Sequence, residues 1–299
     1  MGRFMTTGPA VRQPVAPPNP GRVQQAIARL KALPAFYPTV QKALRLMDDP
    51  LSSDFQVQQV INTDQAVAAR VLQLANSAFF GFYSRVTTVS LALTLIGRER
   101  VGTLLRRFLV EEMLLMLSGR KPAALRIREL SVVTATAAHS MAERLLRDDK
   151  EEILLAGLLH NIGELVLLSQ FRDQYGEMTR LRDQVSQAAA EKAVFGVESP
   201  VVGRWLLEAW NFPDFFVATV EHWPDPWAVH FPHAPVAAIA LVHVARWMAE
   251  CWLERRATDE VYRSFEPRLL STLEVDRDFL VDQYERLPDQ VQQLRTTLA

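Results

Sequence analysis

The stretch LLHNIGELVLL, residues 158–168, places a histidine, an asparagine and a glutamate inside an otherwise apolar run. An apolar run of this kind is typical of a buried helix. On one continuous α-helix, His160, Asn161 and Glu164 would lie within about 100° of one another around the axis. We therefore expect the three side chains to face a common pocket. Such a polar wedge indicates an active site, the remnant of one, or a buried network whose polar groups satisfy one another.

Helical periodicity continues on both sides of this stretch. Thr39 stands where it could cap the first turn of an apolar stripe, and Ser53 with Gln56 has the spacing of a capping box. Ser199 and Pro200 have the pattern of an N-cap followed by a first-turn proline. The sequence contains no convincing period-two strand pattern and no internal repeat. The predicted fold class is all-α, with two helical lobes in one continuous unit.

Composition divides the chain into a leader, two lobes and an extension. Residues 1–21 are rich in proline and small residues, lack periodicity and are expected to form a flexible leader. The first lobe is predicted over 22–119 and the second over 122–255. Residues 256–299 have the pattern of a C-terminal extension of two amphipathic helices, broken near Pro288.

The composition also excludes several classes of protein. With 49% hydrophobic and 22% charged residues among 299, the chain can bury a sizeable core. A formal net charge of −1 supplies no global field toward nucleic acid or anionic lipid. The longest apolar runs are interrupted by Glu164 or by His243 and Arg246, which argues against a membrane-spanning segment. Because Cys251 is the single cysteine and the first residues carry no apolar signal stretch, a cytoplasmic location is expected.

Two histidines suggest half of a metal site. His139 lies on the preceding predicted helix, from which it could approach His160. Imidazole ligands need anionic oxygen ligands beside them to complete the shell of a hard or borderline divalent ion. Asn161 offers only a neutral carbonyl, whereas Glu164 and His222 could join the two histidines in a variant shell.

Four segments carry a resemblance to a known family. They are ANSAFFG at 75–81, VTTVSLALTLIGRERV at 86–101, LLAGLLHNIGELVLL at 154–168 and VVGRWLLEAWNFP at 201–213. In this order they resemble the HDOD domain, the HD-related output domain of bacterial signalling proteins, over roughly residues 25–255. The resemblance implies an all-helical fold whose second lobe is related to the HD superfamily of metal-dependent phosphohydrolases.

The resemblance also implies where metal ligands would stand. In the HD superfamily the ligands are a first histidine, an adjacent histidine and aspartate, and a late aspartate. His139 matches the first position and His160 the paired histidine, but Asn161 replaces the paired aspartate. Arg246 stands at the position that often carries the late aspartate. Because the loss of negative ligands and the gain of a cation disfavour a divalent ion, we expect a degenerate site with no cofactor.

The sequence leaves three functional hypotheses. The first, which we favour, is a non-catalytic output module, as in two-component response regulators, that contacts other regulatory proteins and could form a homodimer. The second is a metal-dependent phosphohydrolase, acting on a cyclic dinucleotide or phosphate ester, with a variant shell of His139, His160, Glu164 and His222. The third is a sensor of a small molecule or nucleotide in a pocket lined by those four residues and Asn161.

Overall fold

Every regular element that the structure describes is an α-helix. The computed structural model describes residues 19–30, 37–76, 85–119, 122–146, 150–210, 212–229, 235–257, 261 and 267–298. Most of the predicted leader lies outside these ranges, as do residues 77–81 of the ANSAFFG motif. No strand occurs within the described ranges, and the all-α prediction is confirmed.

The N-terminal part of the described fold is a bundle of short helices around one long one. α1 (Pro20–Leu30) precedes this bundle and packs against helices of the C-terminal part. The helices of the bundle are α2 (Tyr37–Asp48), α3 (Asp54–Asn62), α4 (Gln65–Ala75), α5 (Val89–Ile96) and α6 (Arg98–Ser118). α2, α4 and α5 pack against α6, and α3 packs against α2. Their apolar faces meet around fully buried side chains such as Val57 and Leu105.

The C-terminal part is built around a second long helix. Its described helices are α7 (Pro122–Leu145), α8 (Lys150–Leu159), α9 (Ile162–Gln170), α10 (Arg172–Leu181), α11 (Gln187–Phe195), α12 (Ser199–Ala209), α13 (Asp214–His222), α14 (Val236–Leu253), α15 (Pro267–Leu273) and α16 (Arg277–Leu298). α7 packs against α8, α14 and α16, while α9 packs against α12.

Local capping signals set several helix starts. The predicted capping box is confirmed: the Gln56 backbone N–H donates to Ser53 Oγ (3.3 Å), and the Ser53 N–H donates to Gln56 Oε1 (2.8 Å). Two other starts were predicted at the wrong residue. Thr39 lies inside α2, and Ser199 is the first residue of α12, whose N-cap is Glu198. These shifts are small because several neighbouring residues can occupy the first turn.

The predicted break at Pro288 is wrong, because α16 continues through the proline. Proline inside a helix removes one backbone hydrogen bond and costs about 3 kcal/mol. Leu280, Leu287 and Val291 are buried on the packed face of α16. Burial of each aliphatic side chain contributes roughly 1.5–3 kcal/mol, so packing outweighs the local penalty.

The two predicted lobes share one hydrophobic core. A single cluster of buried side chains includes Val40 on α2, Leu159 at the end of α8 and Leu206 on α12. A hydrogen bond from Gln41 Nε2 to the Trp210 carbonyl oxygen (3.2 Å) also joins the two lobes. The described helices therefore form one continuous unit, as predicted.

A second core joins the described part of the C-terminal extension to the second lobe. Met141 of α7, Met248 of α14 and Leu287 of α16 all belong to this core. α16 thus packs as an integral helix of the lobe rather than as an appendage.

Two helical segments have the length and hydropathy of a membrane span. They are Lys150–Gln170, which is 89% buried inside the protein, and Val236–Leu253, which is 61% buried. Core helices of folded domains pass the same test, and burial accounts for the apolar composition of both segments.

Candidate functional site

The helix predicted over the LLHNIGELVLL stretch is interrupted at its polar residues. α8 ends at Leu159 and α9 begins at Ile162, so His160 and Asn161 form a turn between two helices. The expectation of one continuous helix is therefore wrong. Asparagine favours such a break, because its side chain competes for hydrogen bonds with nearby backbone.

The amide of Asn161 is held by α7. Ser131 Oγ donates to Asn161 Oδ1 (2.6 Å), and Asn161 Nδ2 donates to the Ile127 carbonyl oxygen (3.3 Å). Ser131 Oγ also lies 3.1 Å from the Ile127 carbonyl oxygen, so the three residues form one buried network. Both the oxygen and the nitrogen of the Asn161 side chain are therefore already hydrogen-bonded.

The ring of His160 is buried and only partly hydrogen-bonded. Its exposed fraction is 1%, and Nδ1 donates to the Gly157 carbonyl oxygen (2.7 Å). In the neutral ring, Nε2 then carries the lone pair. Within the described part of the chain, no hydrogen-bond partner reaches this buried Nε2. Burial, reinforced by the charge of Arg246, lowers the pKa of His160 to about 3, so the ring is neutral at pH 7.

Trp223 links the histidine to the arginine. Its ring lies edge-to-face with the His160 ring, with 5.1 Å between centroids, and the Arg246 guanidinium carbon lies 5.6 Å from the tryptophan ring centroid. Arg246 is only 8% exposed, and its Nη1 lies 2.8 Å from Glu250 Oε1. The Trp223 carbonyl accepts a hydrogen bond from His243 Nδ1 (2.8 Å). The charge of Arg246 therefore acts on the buried ring of His160.

The register of α7 against α8 decides which residue faces the turn. The pairs Ser131 with Asn161 and His139 with Glu151 show that the two helices run antiparallel. His139 Nε2 lies 3.3 Å from Glu151 Oε1. His139 is two helical turns beyond Ser131, or about 12 Å along the axis. The expected approach of His139 to His160 is therefore not found, and Ser131 occupies the facing position.

The contact with His139 on α7 helps to lower the pKa of Glu151. Burial alone would raise the pKa of this carboxyl, but the hydrogen bond and the charge of His139, with those of Arg107 and Lys150, hold it below its usual value. This pair fixes the far end of the α7–α8 contact and belongs to a different place from the His160 turn.

Glu164 also turns away from His160 and Asn161. Its Oε1 accepts hydrogen bonds from the Tyr175 hydroxyl (2.7 Å) and from Arg182 Nη1 (3.4 Å). Burial and the neighbouring Glu164 carboxylate raise the pKa of Tyr175. The expectation that Glu164 shares a pocket with the two preceding polar residues is not met.

The variant metal shell is not assembled. His222 Nε2 lies 3.7 Å from Glu221 Oε2. Over the part of the chain that the structure describes, no three histidine, cysteine, aspartate or glutamate side chains come together in a group that could hold a metal. The groups at the His160 turn are a neutral ring, an amide, a hydroxyl and a guanidinium, and they do not fit a divalent cation.

Sequence reasoning missed Ser131 and Trp223. Ser131 was detectable in principle, since Ile127, Ser131 and Ala135 follow one another at four-residue spacing and a lone hydroxyl stands out between two apolar residues. Trp223 follows α13 as its C-cap and contacts His160 only through tertiary packing, so no local sequence pattern predicts this contact.

Known proteins share this fold. A crystal structure of an HDOD domain protein from Geobacter sulfurreducens has a TM-score of 0.64 at 21% identity, covering 93% of this chain and 99% of that one. A structure from Shewanella amazonensis SB2B named "putative phosphohydrolase" has a TM-score of 0.67 at 20% identity, covering 93% of this chain and 98% of that one. At these identities the likeness concerns the fold alone.

Sequence comparison identifies the family. An uncharacterized protein of Treponema pallidum (strain Nichols) is 24% identical over 219 residues, which are 71% of this chain and 40% of that protein. The chain thus matches less than half the length of this curated relative. The sequence pattern of the HDOD domain matches residues 33–226, well over half of the chain. The chain belongs to the HDOD domain family.

Proposed function

We propose that this HDOD chain is a non-catalytic signalling module that acts through contacts with other regulatory proteins. The observation that carries the proposal is the set of groups around His160. Ser131 and Asn161 are uncharged and already hydrogen-bond each other, and Arg246 is a cation. Glu250, the carboxylate beside Arg246, is paired with that guanidinium.

The charge of these groups argues against HD-type hydrolysis. Such hydrolysis depends on a divalent ion that lowers the pKa of a bound water. A buried arginine repels a cation, and the effect is strong because burial reduces dielectric screening. The neutral ring of His160 supplies one lone pair, which is insufficient to hold a divalent ion against that repulsion.

An exposed apolar pair supports the protein-contact part of the proposal. Leu51, in the turn before α3, is 94% exposed, and Phe55 in the first turn of α3 is 65% exposed. Large apolar side chains close together on a surface are characteristic of contact sites, where an aromatic anchor contributes much of the affinity. We call these two residues the Leu51–Phe55 surface and propose that it docks a regulatory protein.

A turnover assay tests the catalytic part. The purified chain is incubated with Mn²⁺ or Fe²⁺ and either cyclic diguanylate or bis(p-nitrophenyl) phosphate. We expect the same background rate for the chain and for His160→Gln, with bound metal well below one ion per chain. Turnover that is lost in His160→Gln but kept in Val185→Ser, a control at an exposed residue outside the proposed shell, would overturn the non-catalytic assignment and favour the phosphohydrolase alternative.

A capture experiment tests the contact part. Tagged chain is purified from its native host, and the proteins that accompany it are identified by mass spectrometry. We expect a regulatory protein to accompany the unchanged chain and Val185→Ser, a control at another exposed apolar residue, but not Leu51→Ser/Phe55→Ser. The same set of proteins on all three chains would contradict a role for the Leu51–Phe55 surface.

The sensor alternative makes a different prediction. A small molecule bound at the His160 turn would raise the melting temperature of the unchanged chain but not that of His160→Gln. An equal melting temperature for both chains across a panel of nucleotides and phosphate esters would end this alternative.

A further inference from the structure

An open cavity lies between α1 and the junction of α9 with α10. Its volume is about 330 Å³. Arginine and glutamine side chains and one aromatic ring line it: Arg22, Gln25, Arg29, Gln170, Phe171 and Gln174. Cavities that hold small ligands have volumes of roughly 300–1,000 Å³, so this one has the size of a binding site.

The two arginines of this cavity are exposed on α1, and the described residues offer neither Arg22 nor Arg29 an ion pair. Among the described residues, no aspartate or glutamate lines the cavity. The chain segments that flank α1, residues 1–18 and 31–36, contain no acidic residue either. An external anion would therefore find two unpaired guanidinium groups, which bind phosphate well.

The other groups that line the cavity favour a ligand that carries a planar group as well as an anion. Phe171 is half-buried at the cavity wall, where its ring is fixed by Phe195 at 6.0 Å between centroids. An aromatic ring of this kind offers a platform for a planar group. Gln25, Gln170 and Gln174 each carry both hydrogen-bond donors and an acceptor. Inorganic phosphate has mainly acceptors to offer, whereas the edge of a nucleobase has donors and acceptors together.

We propose that this cavity binds a nucleoside phosphate, with the phosphate on Arg22 and Arg29 and the base against Phe171. The two arginines are seven residues apart, about 10.5 Å along the helix axis, so they approach the ligand from two points. The glutamine amides then contact the base edge. This inference is independent of whether the His160 turn is catalytic.

The position of the cavity suggests how a ligand would affect the fold. Gln170 ends α9, the helix that follows the His160 turn, and Gln174 precedes Tyr175, which hydrogen-bonds Glu164. A ligand in the cavity would tie α1 to α9 and α10 at the same time. Binding would therefore stabilise the packing around α9.

Calorimetric titration of the full chain with AMP, GMP, adenosine and inorganic phosphate tests the proposal. We expect at least one nucleotide to bind about tenfold more tightly than inorganic phosphate or adenosine, because it uses the arginines and the ring together. Arg22→Gln/Arg29→Gln should weaken nucleotide binding about tenfold or more. Arg126→Gln, an exposed arginine on α7 outside the cavity, should leave it unchanged.

Three results would overturn the proposal. They are no binding of either nucleotide at millimolar concentration, binding of inorganic phosphate as tight as that of the nucleotides, and unchanged nucleotide affinity in Arg22→Gln/Arg29→Gln. Both arginines are exposed, so the double variant should keep the melting temperature of the unchanged chain. Phe171→Leu gives a second measurement: it should remove the preference for nucleotide over phosphate while phosphate binding persists.

Discussion

Ser131 Oγ donates a 2.6 Å hydrogen bond to Asn161 Oδ1. This contact fixes the register between the antiparallel helices α7 and α8. Ser131 is therefore the residue of α7 that lies opposite the His160 turn. His139, which the resemblance led us to expect as the first histidine ligand, contacts Glu151 two helical turns away. His139, the ligand expected from the sequence, is thus too far along α7 to share a metal ion with His160.

The register predicts which substitutions would rebuild a metal site. Ser131→His, Asn161→Asp and Arg246→Asp together should give a chain that binds about one Mn²⁺ or Fe²⁺, since two imidazoles and two carboxylates then converge. Asn161→Asp with Arg246→Asp alone should not bind metal, although His139 and His160 are both present. Elemental analysis of the purified variants measures the difference.

Two controls accompany these variants, one for folding and one for the role of His139. Far-UV circular dichroism establishes that each variant is folded, which matters because two new carboxylates are buried. If the double variant binds metal tightly and loses it on adding His139→Ala, then His139 reaches the site and the register argument is wrong.

A glycine allows the close approach of α9 to α12. A Cβ atom on Gly163 would lie 1.9 Å from the Ser199 carbonyl oxygen and 2.6 Å from the Gly203 nitrogen. Because both are backbone atoms of a packed helix, neither can rotate away. Gly163→Ala should lower the free energy of unfolding by about 3 kcal/mol or more, at the upper end of overpacking effects.

Urea unfolding at pH 7 measures this effect against a second glycine. A Cβ on Gly176, within α10, would meet nothing within 4 Å. Gly176→Ala should therefore stabilise the chain by about 0.5–1 kcal/mol, as alanine does in an unstrained helix. Equal effects of the two substitutions would show that the contact at Gly163 relaxes freely.

The fold is well predicted from the sequence because its signals are local. The capping box at Ser53 and Gln56, for example, depends on residues within one turn. The same locality explains the error at Pro288. A local signal for a break is present there, but packing against the second core decides the outcome.

The site is less well predicted because it depends on how helices meet. Spacing along the chain placed His160, Asn161 and Glu164 on one helical face, but a turn separates the first two from the third. The choice of Ser131 over His139 comes from the register between α7 and α8. Sliding one helix along the other by two turns leaves both sequence patterns unchanged, so periodicity cannot contain this information.

A partly buried polar network attaches α16 to α7. Ser140 Oγ donates to Gln283 Oε1 (2.6 Å), and Gln290 Nε2 donates to Ser140 Oγ (2.6 Å). Ser140→Ala would leave both glutamines without this partner and should cost about 1–3 kcal/mol of unfolding free energy. Ser271→Ala, at an exposed hydroxyl that bonds only within its own helix, should change it by less than about 0.5 kcal/mol. Similar values for both variants in urea unfolding would mean that this network does not hold α16 in place.

The lowered pKa of His160 predicts that the folded chain loses stability as the pH falls below neutral. Burial and Arg246 lower the pKa of the folded ring to about 3, against an ordinary value of 6.5. Between these values the unfolded chain binds the proton and the folded chain does not. The contribution of His160 is therefore complete above its ordinary pKa and is lost as the pH falls, by up to about 1.4 kcal/mol per pH unit.

Urea unfolding near pH 7 and near pH 5.5 isolates this effect when the chain is compared with His160→Gln. The unchanged chain should lose about 1 kcal/mol more than the variant over this interval, because glutamine does not titrate. Glu151, whose pKa is lowered, and Glu191, whose pKa burial raises, also respond to pH. Both carboxyls are present in both chains, so their contributions cancel in the difference. Parallel pH dependence in the two chains would show that the folded ring takes up its proton at the ordinary pKa of 6.5, and the lowered pKa of His160 would have to be abandoned.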